Sequence, residues 1–162
     1  MDLGIAGKHV LIPGSSSGIG LAVARALGGE GANVVLAARR RETVEAEAAR
    51  LPSAVGLEVD LTADGAPEDL VRRAEEAFGP VDVLVLNSGG PPPGGAADMS
   101  AEQAAAAVNQ LLLQHIRLTS LVLPACAAEA GDGSSPWDPP GCSSRCPTWR
   151  CPTWPVPDWP GI

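Results

Sequence analysis

Apolar positions recur in two alternating rhythms along the first 124 residues. Short, nearly continuous apolar runs at Lys8–Ile12, Asn33–Ala37, Ala54–Val59 and Val81–Leu86 read as strands. Runs without polar alternation belong to strands covered on both faces. Between them the spacing becomes helical. The first helix follows a glycine-rich turn, with Ile19, Val23, Ala26 and Leu27 on its inner face and an end near Gly28-Gly29. Arg41–Leu51 is a charged, Ala-rich helix, and Pro67–Phe78 is a helix closed by Gly79-Pro80. Ser100 caps a long helix that runs to about Val122. Strands separated by helices of this length predict an α/β fold with a parallel sheet and right-handed crossovers. The expected strand order is 3-2-1-4.

That pattern stops near Gly131. All four tryptophans (Trp137, Trp149, Trp154, Trp159) lie beyond Asp132, as do Cys142, Cys146 and Cys151. Proline interrupts this part every few residues, and no apolar period of 2 or 3.6 survives. The expected organisation is an incomplete domain over 1–124 and an irregular Pro/Cys/Trp-rich tail over 125–162.

Composition narrows the function. A chain of 162 residues with 45% hydrophobic and 19% charged residues suits one globular domain. A net charge of −8 argues against a nucleic-acid partner, since phosphate binding needs clustered cations. No apolar run approaches the roughly 20 residues of a membrane span. Met1-Asp2-Leu3-Gly4 lacks the basic start of a signal peptide, so a cytoplasmic location is expected.

The turn after the first strand carries the first chemistry. Gly14, Ser16, Ser17, Gly18, Ile19 and Gly20 join strand to helix in the spacing G-x-x-x-G-x-G. Glycines there let backbone approach a pyrophosphate, and the helix start offers free N–H groups with a positive dipole end. The alternative is a plain strand–helix connection. The position after a strand and before a helix favours a nucleotide, and with it a Rossmann-like doubly wound sheet.

Four features in order resemble the short-chain dehydrogenase/reductase family: Gly14-x-x-x-Gly18-Ile19-Gly20, Asp60-Leu61-Thr62, Asn87-Ser88-Gly89-Gly90, and Asn109 preceded by Val108. The resemblance covers the chain to about Pro124. The stretch from Asn87 to Gly94 is similar to a divergent, 3-oxoacyl-carrier-protein reductase-like branch. Pro13 stands where the family usually has Thr, and Ser88-Gly89-Gly90 replaces Asn-Ala-Gly. The resemblance implies an NAD(P)-dependent oxidoreductase that transfers hydride between carbonyl and alcohol, with homo-oligomeric relatives. It also implies that Asp60 bonds the adenine amine, with the Leu61 backbone beside it. The Asn87 and Gly89 backbone would line the ribose and nicotinamide side. Asp60 has an alternative as N-cap of the next helix, and Asn87 has one as a tie between strand ends.

Cofactor choice is argued from the second strand. It ends Ala37-Ala38-Arg39-Arg40-Arg41, with no carboxylate before Glu42. A guanidinium here can pair with a 2′-phosphate, so Arg39 favours NADP over NAD. A solvated basic helix start is the alternative and accounts for Arg40 and Arg41.

Catalysis is where the resemblance thins. The family works through a Tyr, a Lys four residues later, a Ser and an Asn. Asn109 matches the Asn, although a polar position on a buried helix is its alternative. The chain has no Tyr, and its one Lys is Lys8. A proton-transfer residue must reach the substrate oxygen. A truncated, inactive oxidoreductase is therefore expected, with a non-catalytic nucleotide-binding or partner-binding protein as the alternative.

The tail itself reads as a reading-frame slip. From Ala125 onward, reading from the third base of each codon permits Gly-Met-Arg-Arg-Arg-Gly-Trp-Gly-Arg-Ile-Val-Ala-Val-Gly-Ser-Ser-Gly-Val, a turn, a strand and a serine region. The pair Trp137-Asp138 forces one of these glycines; synonym choice supplies much of the rest. The competing readings are a thiolate metal site, a disulfide cluster and a Pro-rich docking segment. The cysteine spacings contain no Cys-x-x-Cys pair, so no metal site is assigned.

Overall fold

The computed structural model describes residues 4–90 and 98–129. Strand β1 (His9–Pro13) leads through the glycine-rich turn into α1 (Gly18–Gly29). β2 (Asn33–Ala38), α2 (Arg41–Ala48), β3 (Ala54–Glu58) and α3 (Ala66–Phe78) follow. After β4 (Val83–Leu84), the chain enters α4 (Ala101–Val108), a π-helical turn at Asn109–Leu113, and α5 (Gln114–Glu129). The strands form one sheet, parallel as the alternation of elements predicts and in the expected order β3-β2-β1-β4.

The sheet is a double-sided wall because side chains alternate along each strand. Leu11 and Val35 point to one face, where Leu70, Val71 and Ala74 of α3 meet Leu118 and Val122 of α5. Val10, Ile12, Val34 and Leu36 point to the other, against Ala24 of α1 and Val44 and Ala48 of α2. All five residues of β1 are buried. A central parallel strand with helices on both sides has no solvent face, which explains its unbroken apolar run. On the second face α2 lies against β3 backbone to backbone. A Cβ at Gly56 would stand 2.5 Å from the Val44 carbonyl carbon.

Several element details differ from expectation. The inner face of α1 is Gly20, Ala24 and Gly28, with Val23 and Leu27 only half-buried. Ile19 is 78% exposed and Ala26 is exposed too. Glycine at positions 20 and 28 lets the helix axis come close to its neighbours, so small residues rather than large ones make the contact. The strand expected over Val81–Leu86 is paired only at Val83–Leu84, followed by a bond from Val85 N–H to Leu11 O. Leu86 is already half-exposed. The helix expected over Arg41–Leu51 stops at Ala48 and finishes in turn-like bonds from Arg50 and Leu51.

Ser100 caps α4, and it does so reciprocally. Its hydroxyl accepts from Gln103 N–H while the Gln103 side chain accepts from Ser100 N–H, a capping box. The helix expected to end near Val122 continues through Pro124 to Glu129. The readings placed on the Pro-rich stretch after Gly90, on Cys142, Cys146 and Cys151, and on the tryptophans of the tail lie outside the described residues.

Candidate functional site

The chemistry gathers at the carboxyl ends of β1, β2 and β3, where an open parallel sheet offers its crevice. β1 must turn sharply there to start α1. Gly14 takes φ +66° and Gly18 φ +61°, both left-handed conformations that favour glycine. Ser15 locks the turn from inside. It is fully buried, its Oγ donates to Ile12 O at 2.7 Å, and it accepts from Ala37 N–H at 3.0 Å. One hydroxyl thus joins the ends of β1 and β2 beneath the turn. α1 then begins at Gly18 with Ser17 as N-cap and no side-chain cap bond. An uncapped helix start leaves orphan N–H donors at its positive dipole end, which suits an anion.

Asn87 secures the other side. Its Nδ2 donates to Pro13 O and to Gly14 O, each at 3.0 Å. The amide sits so close that a Cβ on Gly14 or Gly20 would stand 2.7 Å from it. The side chain therefore ties the end of β4 to the glycine-rich turn, the alternative weighed for it above. These glycines are required by packing against Asn87 as well as by backbone angle.

The crevice opens into a cavity of about 610 Å³. Gly14, Ser16 and Ser17 line it from the glycine-rich turn, Arg39 and Asp60 from just past the ends of β2 and β3, and Gly89 from the stretch after β4. Leu61 lines it as well. The structure thus brings seven of the residues singled out in the sequence to one cavity. Gly18, Ile19 and Gly20 form the adjoining helix start, and Asn87 braces the cavity from behind.

Asp60 accepts from Thr62 N–H at 3.0 Å and from Thr62 Oγ1 at 2.7 Å, both on Oδ1. These bonds hold its carboxyl below the usual aspartate range, with the Arg39 charge adding to the effect. Among the described residues no donor meets Oδ2. The N-cap alternative for Asp60 does not occur, because α3 starts at Ala66 with Gly65 as its N-cap. Arg40, read as a solvated helix start, lines the cavity with Arg39, while Arg41 pairs with Glu45 at 2.8 Å.

Asn109 stands apart from this group. It opens the π-helical turn, and its Oδ1 accepts from Gln114 Nε2 at 2.8 Å. Its neighbour Gln110 does line the cavity, with Nε2 donating to Gly89 O at 2.7 Å. Sequence reasoning missed Ser15 and Gln110. Three consecutive serines carried no sign of which one turns inward, and Gln110 was overshadowed by Asn109.

The sequence from residue 8 to residue 134 matches the family model described as short chain dehydrogenase. The chain belongs to that family. It is similar to a 3-dehydrosphinganine reductase of Arabidopsis thaliana, 35% identical over 127 residues, which are 78% of this chain and 38% of that protein. A ketoacyl reductase of Nostoc is 35% identical over 133 residues, covering 80% of this chain and 46% of the relative. Among solved structures, L-sorbose reductase from Gluconobacter frateurii, complexed with NADPH and L-sorbose, superposes with a TM-score of 0.74. It is 31% identical, over 80% of this chain and 51% of that one. This short chain dehydrogenase sequence thus spans about half the length of its relatives or less.

The residues present fit a dinucleotide on their own geometry. Gly14 of the close-approach turn, the Asp60 carboxylate and two guanidinium groups line one cavity, with the helix start that has no side-chain cap adjoining it.

Proposed function

We propose that residues 1–124 form the NADP(H)-binding part of a carbonyl/alcohol oxidoreductase, and that the 162-residue chain binds this cofactor without turning over a substrate. The observation that carries the binding reading is Arg39 lining the same cavity as Asp60, close enough for its charge to act on that carboxyl. A guanidinium at the end of the second strand supplies a partner for a 2′-phosphate where NAD-selective sites place a carboxylate. The NADPH complex of the similar sorbose reductase supports the same choice.

In this reading the α1 start receives the pyrophosphate, Asp60 and Leu61 receive adenine, and Ser88 and Gly89 flank the ribose and nicotinamide side. The cofactor would supply hydride; the chain's residues bind and orient it. The absence of Tyr, and a single Lys at position 8 on the far end of β1, favour a non-catalytic binder. Asn109 can hold a water but carries no proton for an alkoxide. Titrating the full chain with NADPH and NADH, beside a carbonyl panel, tests both halves. Tighter NADPH binding with no turnover is expected. Absence of NADPH binding defeats the first half, and turnover lost on Asn109→Ala defeats the second.

A further inference from the structure

We infer that Gln110 is a positioning residue that fixes the Ser88–Gly89 wall of the cavity, an inference that rests on the dinucleotide reading above. Ser88, Gly89 and Gly90 follow Asn87 with no regular structure. Asn87 anchors the upstream side of this stretch through Pro13 O and Gly14 O. Downstream, among the described residues, the hydrogen bond to its backbone is the one from Gln110 Nε2 to Gly89 O, at 2.7 Å. Two adjacent glycines have wide conformational freedom, so a single directed bond removes much of the wall's choice.

The donor is itself held in place. Gln110 is the second residue of the π-helical turn Asn109–Leu113, whose extra residue re-aims the side chains that follow α4. The far end of that turn is pinned by Gln114, which is 1% exposed and donates to Asn109 Oδ1 at 2.8 Å. A buried glutamine thus fixes Asn109, Asn109 begins the turn, and the turn directs Gln110 at Gly89. A Cβ on Gly89 would stand 3.5 Å from Gln110 Nε2, so the wall and the amide are in direct contact.

The test uses the full 162-residue chain. Hydrogen exchange of the Ser88–Gly90 amides is measured without ligand, and NADP⁺ and adenosine 2′,5′-bisphosphate are titrated separately. Gln110→Leu keeps the bulk and removes the donor. It should speed exchange at 88–90 and weaken NADP⁺ about 3- to 10-fold, the worth of one neutral hydrogen bond. Binding of the adenosine half should stay unchanged. Gln110→Glu places a carboxylate against a carbonyl, so its affinity relative to wild type should recover as pH falls and the protonated acid donates again. A packing role would show no such recovery. Unchanged exchange and NADP⁺ binding in Gln110→Leu would overturn the inference, as would equal weakening of both ligands. Wild type binding neither ligand would defeat the dinucleotide reading, while the exchange result would still decide whether Gln110 holds the wall.

Discussion

Individual side chains divide into those that face the cavity and those that hold it open. Arg39 belongs to the first kind. Arg39→Ala should weaken NADPH by about 1–3 kcal/mol, the range of a charge-assisted contact, and leave NADH nearly unaffected. Equal losses for both, by fluorescence titration, would reduce Arg39 to a solvated helix-start residue. Ser15 belongs to the second kind. Its hydroxyl both donates and accepts in a fully buried place. Ser15→Ala leaves the Ala37 N–H without that acceptor, which costs about 1–3 kcal/mol. Chemical denaturation should show that loss; a variant as stable as wild type would mean that the turn is held by its glycines alone.

Elements meet through a few cross-links between distant segments. At the amino end of the sheet Asp82 joins β1 to the start of β4: Oδ1 receives Lys8 Nζ at 2.7 Å and Oδ2 receives His9 N–H at 2.8 Å. The Lys8 hydrogen bond is the main reason its carboxyl titrates below the usual range, followed by the His9 bond. A carboxylate whose folded pKa is depressed stabilises the fold above its unfolded pKa, about 3.9, and loses that contribution as pH falls through the lower folded value. Acid unfolding of Asp82→Asn should therefore differ from wild type near neutrality and converge with it at the acid end. Parallel curves across that range would remove Asp82 from the account. Helix packing was less legible than helix existence. The expected inner face of α1 placed Ile19 inside, whereas Gly20, Ala24 and Gly28 make the close contact. Hydrophobicity counts reward large residues, but a helix that crosses near backbone selects small ones.

At the scale of the whole molecule, the parallel sheet β3-β2-β1-β4 gathers the cavity residues at its carboxyl ends, and the composition changes beyond it. The third-base reading of residues 125–162 makes a direct prediction. The nucleotide sequence downstream of the Pro124 codon, read in that frame, should encode further segments with strand and helix periodicity. Absence of any such apolar period would leave the tail as a segment with a purpose of its own.

By itself the sequence determined the alternation of strands and helices and the resemblance to the family, because these follow from local periodicity and from glycines and short motifs at fixed spacing. The order of the strands in the sheet is a tertiary fact. Cavity-facing positions such as Arg39 and Asp60 were legible for the same reason: strand ends are local features. Tertiary structure decided the rest. Only the folded chain brings Asn87 within reach of Pro13 and Gly14, 74 and 73 residues away, or Gln110 to Gly89 across 21. Only there does Ser15, rather than Ser16 or Ser17, turn inward to join two strands. Hydrogen bonds between distant segments leave no period in a sequence. They depend on where the sheet and helices place their ends, and that is settled by packing.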